Sequence, residues 1–286
     1  MRSSHYGILA LLASSALCVS AMSCSGRTIQ QSRAASRVPD VVFVPTPHAV
    51  VDRMLSVARV GKDDVLYDLG SGDGRIVIAA AKRFAVRAVG IDIDPNLVAA
   101  SRRNADTAGV AALVEFREAD LFTIDLRPAS VVTLYLLSEL NVRLRPKLFN
   151  ELRPGSRVVS HSFDMGDWKA DSTLMVENRF VFFWTIPANV VGMWNIIVQS
   201  DGAERRYRVR LDQKYQVVTA TAPDSAAGIS VGNAVVRGER VSFTIRDSSG
   251  ATPLTLTFDG RLDGAVLSGL ASDGSGNARK WRATRS

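Results

Sequence analysis

Hydrophobic and polar positions follow two different patterns along the chain, and the change falls near residue 189. Before it, short apolar runs of strand length lie at residues 64–69, 88–92, 114–117, 130–137 and 157–162. Segments with apolar residues three or four positions apart, as in a buried helix face, lie at 49–59, 75–84, 95–108 and 141–151. This alternation predicts βαβ units and a doubly wound, parallel α/β sheet. Residues 176–185 are expected to add a strand pair or a long edge strand.

After residue 189 polar and apolar residues alternate strictly, as at 207–211, 241–245 and 254–258, with glycines in the intervening turns. Asp201-Gly202 is a hairpin signal. The pattern predicts a smaller antiparallel all-β domain, which could be a sheet, a sandwich or a small barrel. We therefore expect an α/β domain at 40–188 and a β-domain at 189–286.

The first 24 residues have the layout of a secretory signal peptide, with Arg2 ahead of an apolar run that ends in small residues. Ala21-Met22-Ser23-Cys24 also resembles a bacterial lipobox, which would make Cys24 a lipidation site. An uncleaved N-terminal anchor is a third interpretation. Residues 25–39 are polar and are expected to be a linker. This segment predicts an exported or membrane-attached protein, such as one of the bacterial periplasm.

The composition of the chain excludes some classes of protein and some kinds of functional site. The 286 residues are 47% apolar and 22% charged, which excludes a disordered chain and a bundle of membrane helices. The net charge of +7 suits an acidic partner, but the basic residues are dispersed, so a solvated surface is the better explanation. Both cysteines fall within the first 24 residues, and the histidines His5, His48 and His161 are far apart. No metal site is predicted.

The main chemical signal is the run Asp68-Leu69-Gly70-Ser71-Gly72-Asp73-Gly74, where a predicted strand meets a predicted helix. Glycines at such a turn let a ligand approach the backbone closely. Asp92 ends the next strand, at the position of an acid that binds ribose hydroxyls. Asp120 ends the strand after that and could meet an adenine amino group. Alternatively, Asp92 caps a helix, for which Asp94 is better placed, and Asp120 forms a turn.

The charge of this loop distinguishes between nucleotide cofactors. Asp68 stands one residue before the turn, where a carboxylate would repel a pyrophosphate but attract an ammonium or a sulfonium. This favours S-adenosylmethionine (SAM) over NAD.

With these residues, positions 40–170 resemble class I SAM-dependent methyltransferases. The resemblance implies a seven-stranded sheet with an antiparallel last strand, and SAM bound by Asp68, Gly70, Gly72, Asp92 and Asp120. The Pro-containing segment 43–47 and the run 68–81 are similar to small protein-lysine methyltransferases of mitochondria and their bacterial relatives. By that resemblance, Thr46 and Pro47 border the methionine end of SAM. The similarity covers about half of the chain, and the β-domain is not part of the mitochondrial enzymes.

The methyl acceptor is predicted from the family resemblance and from one motif that the fourth strand lacks. The resemblance to protein-lysine methyltransferases implies a protein side chain such as lysine. Residues 131–138 contain no Asn-Pro-Pro-Tyr loop, the motif of base and glutamine-amide methylators of this class, which argues against a DNA-adenine acceptor, and nucleic acid is not the expected partner. Tyr135, His161 and Asp164 are candidate catalytic residues near the strand ends. His161 could be a general base or an ordinary structural histidine.

The signal segment and the cofactor conflict, because SAM is made and used inside cells. The first hypothesis is a methyltransferase associated with a membrane through its N-terminus. The alternative is an exported, non-catalytic binding lipoprotein that uses a methyltransferase-like fold.

Overall fold

The first half of the chain folds around one seven-stranded sheet in the computed structural model, which describes residues 42–200, 203–223 and 228–286, without the side chains of Ser200 and Ala203. The predicted signal, Cys24 and the linker 25–39 lie outside these residues. The elements are α1 (His48–Val57), β1 (Val65–Leu69), α2 (Arg75–Phe84), β2 (Arg87–Asp92), α3 (Pro95–Ala108), β3 (Val114–Glu118), β4 (Val131–Leu134), α4 (Ser138–Glu151), β5 (Arg157–His161), β6 (Ser172–Val176) and β7 (Arg179–Thr185).

The strand order across the sheet is β3-β2-β1-β4-β5-β7-β6. Strands β1 to β5 are parallel, while β7 runs antiparallel to both β5 and β6. The chain thus builds outward from β1 to β3 and then restarts on the other side at β4. The ends of β1 and β4 form a topological switch point, where open α/β sheets bind ligands. The predicted doubly wound α/β sheet, with an antiparallel strand near its end, is confirmed.

Alternating side chains of the strands build two cores. Leu66 faces a core that contains helices α1, α2 and α3, whereas its neighbour Tyr67 faces a core that contains α4. Helix α3 begins with Asp94 as its N-cap, whose carboxylate accepts the Asn96 N–H at 2.8 Å, so the capping role falls to Asp94. Among the described residues, no helix is both long and apolar enough to cross a membrane.

The prediction of a strand at 130–137 was too long. Strand β4 ends at Leu134, and α4 begins at Ser138 rather than at the expected residue 141. The run is apolar throughout, but Tyr135, Leu136 and Leu137 line a cavity instead of pairing with a neighbouring strand. An apolar run does not reveal whether its partner is a strand or a binding cavity.

The second half of the chain forms a closed antiparallel barrel of eight strands, so the predicted all-β domain is confirmed. Its strands are β8 (Gly192–Ser200), β9 (Ala203–Lys214), β10 (Val217–Thr221), β11 (Ile229–Arg237), β12 (Arg240–Asp247), β13 (Leu254–Asp263), β14 (Val266–Asp273) and β15 (Ala278–Arg285). Pairing of the last strand, β15, with the first, β8, closes the ring and removes the sheet edges. The predicted hairpin turn at 201–202 lies outside the described residues, between β8 and β9.

Aromatic side chains fill the barrel interior. Phe243 and Phe258 stack with ring centroids 4.6 Å apart, and Trp281 packs edge-on against both rings. Gly260 makes room for the indole, because a Cβ there would lie 2.4 Å from Trp281 Cζ2. This barrel therefore has a packed core.

Candidate active site

The glycine loop between β1 and α2 is held against the end of β2. The N–H groups of Gly70 and Ser71 both donate to the Ile91 carbonyl, at 2.8 and 2.9 Å. Gly70, Gly72 and Gly74 have φ angles of +80°, +54° and +82°, in the left-handed region that glycine adopts without strain. A Cβ at Gly72 would also lie 2.1 Å from Phe43 Cε2. The loop sequence thus follows from its backbone geometry and from the segment packed above it.

Asp92 is fixed at the carboxyl end of β2 by two backbone hydrogen bonds. Its Oδ2 accepts the Gly72 N–H at 2.7 Å, and its Oδ1 accepts the Asp94 N–H at 3.0 Å. The carboxylate lines the same cavity as the glycine loop. This is the place of an acid that accepts the hydroxyls of a ribose.

Asp68, at position four of β1, is a buried acid with an unusual pKa. Its side chain is 2% exposed and accepts one hydrogen bond from Thr133 Oγ1 at 2.7 Å. Burial raises the pKa of Asp68 to about 7, and the nearby carboxylates of Asp92 and Asp73 also raise it, against the lowering effect of Thr133. A cation placed beside Asp68 would stabilise its charged form.

The opposite end of the cavity, beyond β3, is largely apolar. Ile93, Leu97, Leu121 and Phe122 line it together with Asp120. Asp120 Oδ1 accepts the Phe122 N–H at 2.9 Å, so the turn role considered for this residue is present in the same geometry. An apolar slot with one acid at its edge suits a heteroaromatic base with an amino group.

These residues surround a single cavity of about 700 Å³, within the range of small-molecule sites. Its cofactor-like features lie over β1, β2 and β3. The remaining wall, over β4 and β5, consists of Tyr135, Leu136, Leu137, Leu140 and Phe163. We call this the acceptor side. The cavity can therefore hold a nucleoside with a cationic tail over β1, β2 and β3, and a second, mostly apolar group against the acceptor side.

Comparison with known proteins identifies the family. Residues 68–172 match the ANTKMT methyltransferase domain. A protein-lysine N-methyltransferase of Saccharolobus islandicus (strain REY15A) is 44% identical over 156 residues, which make up 53% of this chain and 97% of that protein. The chain belongs to this methyltransferase family.

Two further proteins are similar to the methyltransferase domain. An RNA methyltransferase from Salinibacter ruber, solved in complex with S-adenosyl-L-homocysteine, is 60% identical, with a TM-score of 0.51. The match covers 51% of this chain and 96% of that one. The adenine nucleotide translocase lysine N-methyltransferase of Mus musculus is 38% identical over 136 residues, 46% of this chain and 59% of that protein. All three matches span about half of this chain.

SAM is the cofactor of this methyltransferase, as predicted, and the cavity fits it. The buried Asp68 lines the cavity where it would stabilise a cation, Asp92 is held by a backbone N–H where it would accept hydroxyl groups, and the loop glycines leave space that a Cβ would fill. Among the described residues, no cluster of three or more His, Cys, Asp or Glu side chains could hold a metal ion.

The predicted cofactor residues come together from distant parts of the chain. Thr46, Asp68, Gly70, Asp92 and Asp120 all line the cavity. Gly72 lies beneath Phe43 and acts through its N–H on Asp92. Their individual roles remain predictions.

The three catalytic candidates lie in different environments. Tyr135 lines the acceptor side. His161 is fully buried, with its ring 3.8 Å from that of Tyr135 and its Nδ1 3.1 Å from Thr46 Oγ1. Burial lowers the pKa of His161 to about 4, so at neutral pH it is uncharged and a weak base. Asp164 Oδ1 accepts the Gly166 N–H at 3.1 Å. Among the described residues, His161 Nε2 is buried without a hydrogen-bond partner, so its hydrogen-bonding capacity is only half used and its role stays a prediction.

Sequence reasoning missed Phe43 and Arg75 as site residues. The Arg75 guanidinium makes a bidentate pair with Asp73 and donates to the Thr46 carbonyl at 2.8 Å. It thereby ties the segment 42–47 to the glycine loop. An arginine directly after Gly74 was a visible signal, but its target lies 29 residues away and only the fold brings the two together.

Proposed function

We propose that this methyltransferase transfers the methyl group of SAM to lysine side chains of proteins. The observation that carries the proposal is the 44% identity to a protein-lysine N-methyltransferase over 97% of that protein's length. The family match at residues 68–172 includes both the cofactor loop and the acceptor side of the cavity.

The acceptor side suits the chemistry of a lysine. SAM supplies a methyl group on a sulfonium; transfer breaks the C–S bond, forms an N–C bond and leaves S-adenosylhomocysteine. The lysine amine must be uncharged to attack, although its usual pKa is about 10.4. Tyr135, Leu137, Leu140 and Phe163 surround that space with mainly apolar surface. An apolar environment lowers the pKa of an amine and accommodates the aliphatic part of the side chain.

RNA methylation is the second candidate, and one observation favours it. The Salinibacter ruber protein that is 60% identical over this domain is described as an RNA methyltransferase. Against it, the end of β4 reads Tyr135-Leu136-Leu137-Ser138, without the Asn-Pro-Pro-Tyr loop of base and amide nitrogen methylators.

One labelling experiment separates the two candidates. The purified chain is incubated with SAM carrying a deuterated methyl group and a bacterial extract, half treated with nuclease and half with protease. We expect label that survives nuclease and is found on lysine by mass spectrometry. Label that survives only protease treatment would replace lysine with RNA as the acceptor. Asp92→Ala, which removes the acceptor of the Gly72 and Asp94 N–H groups, is the inactive control.

We infer the location from residues 1–24 alone: export from the cytoplasm or attachment to a membrane, with Cys24 as the lipidation site. An exported enzyme would need a supply of SAM outside the cytoplasm. The uncleaved anchor, which is the alternative to lipidation at Cys24, would instead keep the enzyme facing the cytoplasmic SAM. Labelling cells with a fatty acid analogue tests this, with Cys24→Ala as the matched control. If the fatty acid label appears on both the wild-type and the Cys24→Ala protein, or on neither, Cys24 is not the lipidation site. If the lipidated protein transfers no methyl group to any extract, the alternative of a non-catalytic binding lipoprotein replaces the enzyme.

A further inference from the structure

We propose that the barrel positions the acceptor side of the active site through the turn Lys214-Tyr215-Gln216, which joins β9 to β10. Its target is the acceptor-side loop, residues 162–169, which follows β5. The inference rests on the proposed transferase function and assigns the barrel a role in it.

The acceptor-side loop contributes one residue to the wall of the cavity and forms little regular structure. Phe163 lines the acceptor side, and Ser162 before it has a φ of +62°. Asn141 Nδ2 lies 3.2 Å from the carbonyls of both Phe163 and Asp164. The second half of the loop, around Asp167, is contacted by helix α4 and by the barrel turn.

Those contacts come partly from an aromatic residue of the barrel. The Tyr215 ring lies 5.6 Å from that of Phe149 in helix α4 and 6.1 Å from that of the buried Trp168. The Arg145 guanidinium covers the Tyr215 ring at 5.1 Å and donates to the Met165 carbonyl at 2.8 Å. The barrel turn, the helix and the loop thus share one packed cluster.

Polar contacts reinforce the same junction. The Tyr215 hydroxyl lies 3.1 Å from Asp167 Oδ1, and Lys214 Nζ lies 3.1 Å from Asp167 Oδ2. Gln216 Nε2 donates to the Lys169 carbonyl at 2.6 Å. The contact with Lys214, and then those with Tyr215 and Arg145, lower the pKa of Asp167 to about 2, so it is ionised at physiological pH. Three consecutive barrel residues therefore hold a loop of only eight residues.

Attachment of the barrel does not depend on these contacts. The Ala188 N–H donates to the Gly238 carbonyl at 2.8 Å, and a Cβ at Gly238 would lie 3.1 Å from Gly155 Cα. Gln213 also secures the connecting segment, accepting the Val190 N–H at 2.9 Å and donating to the Ala188 carbonyl at 3.0 Å. Loosening the turn should therefore free the loop without detaching the domain.

Asp167→Ala tests the proposal, with Asp259→Ala as its control. Both remove an aspartate whose side chain is about half exposed (53% and 55%) and ion-paired to an arginine, but Asp259 pairs with Arg240 on a neighbouring barrel strand. Tyr215→Ala removes the ring, and Tyr215→Phe keeps it. The full chain is used throughout, with hydrogen exchange of the loop amides, calorimetric binding of S-adenosylhomocysteine, and methyl transfer to poly-L-lysine as readouts.

For Asp167→Ala and Tyr215→Ala we expect faster amide exchange in 162–169 and a fall of about tenfold in kcat/KM for poly-L-lysine. Binding of S-adenosylhomocysteine should stay within twofold, Tyr215→Phe should recover most of the transfer, and Asp259→Ala should match the wild type. Three results would overturn the proposal. Amide exchange in the loop could stay unchanged, or exchange could become faster while methyl transfer stays unchanged. The third is a loss of S-adenosylhomocysteine binding as large as the loss of transfer. If the wild-type chain does not methylate poly-L-lysine, the lysine proposal fails separately, and loop exchange still decides the positioning.

Discussion

Replacing Asp68 by Asn should make the protein more stable and its cofactor binding weaker. The change removes a charge at a site that is 2% exposed while keeping an oxygen to accept the Thr133 hydroxyl. In the folded protein, burial raises the pKa of this carboxyl from 3.8 to about 7. The unfolded chain therefore loses the proton first as the pH rises, and the folded state becomes less stable between about pH 4 and pH 7.

A pKa difference of about three units corresponds to about 4 kcal/mol at 1.36 kcal/mol per unit. Because Asn carries no charge, Asp68→Asn should raise the free energy of unfolding above pH 7 by up to that amount. At pH 4 the two proteins should be nearly equal, since Asp68 is then protonated in the folded state.

Cofactor binding should show the opposite trend. The ammonium group of SAM or S-adenosylhomocysteine prefers the ionised form of Asp68, and an α-amino group with a pKa near 8 remains mostly cationic up to about pH 7.5. With a pKa of about 7, the ionised fraction of Asp68 rises from about 0.09 at pH 6 to about 0.76 at pH 7.5. The apparent affinity scales with the fraction in which Asp68 is ionised and the ligand amine is cationic, about 0.09 at pH 6 and about 0.58 at pH 7.5, so S-adenosylhomocysteine should bind about sixfold more tightly at pH 7.5.

Calorimetry measures both the affinity and the protons released, in buffers of different ionisation enthalpy. Urea unfolding at pH 4 and pH 8 measures the stability. The control is Asp92→Asn, which removes another carboxylate of the same cavity; because Asp92 helps to raise the pKa of Asp68, the rise in affinity should persist but move to lower pH. An Asp68→Asn protein that is less stable at pH 8, or that keeps the sixfold rise in affinity between pH 6 and pH 7.5, would refute the reasoning.

Three further substitutions test other parts of the structure. Gly72→Ala places a Cβ 2.1 Å from Phe43 Cε2 at a φ of +54°, so S-adenosylhomocysteine affinity should fall more than tenfold by calorimetry; Gly61→Ala, with nothing within 4 Å, should not change it. Arg75→Lys loses the bidentate contact with Asp73 and the Thr46 contact together, and should weaken S-adenosylhomocysteine binding by about 1–2 kcal/mol; unchanged binding would exclude a role for the tie. Gly260→Ala crowds Trp281 and should lower stability to urea by about 1–3 kcal/mol without changing cofactor affinity, whereas Gly232→Ala should be nearly neutral.

The order of residues in the sequence was enough to predict much of the fold and of the cofactor site. The period of the apolar residues predicted the alternating strands and helices and the change to a β-domain near residue 189, because each depends on contacts made by neighbouring residues. The cofactor site could be predicted as well, because parallel strands end at one edge of a sheet and bring their final residues together. These residues are the loop from Asp68 to Gly74 and the acids Asp92 and Asp120.

Only the tertiary structure decided what depends on distant partners. The insertion of β7 between β5 and β6 and the closure of the barrel by β15 and β8 are strand pairings that no local pattern specifies. The pKa of Asp68 arises from burial by surrounding elements, which its sequence neighbours do not reveal. Thr46 meets His161 across 115 positions, and Tyr215 meets Asp167 across 48. Periodicity shows which face of an element is buried, but the complete fold determines what that face contacts.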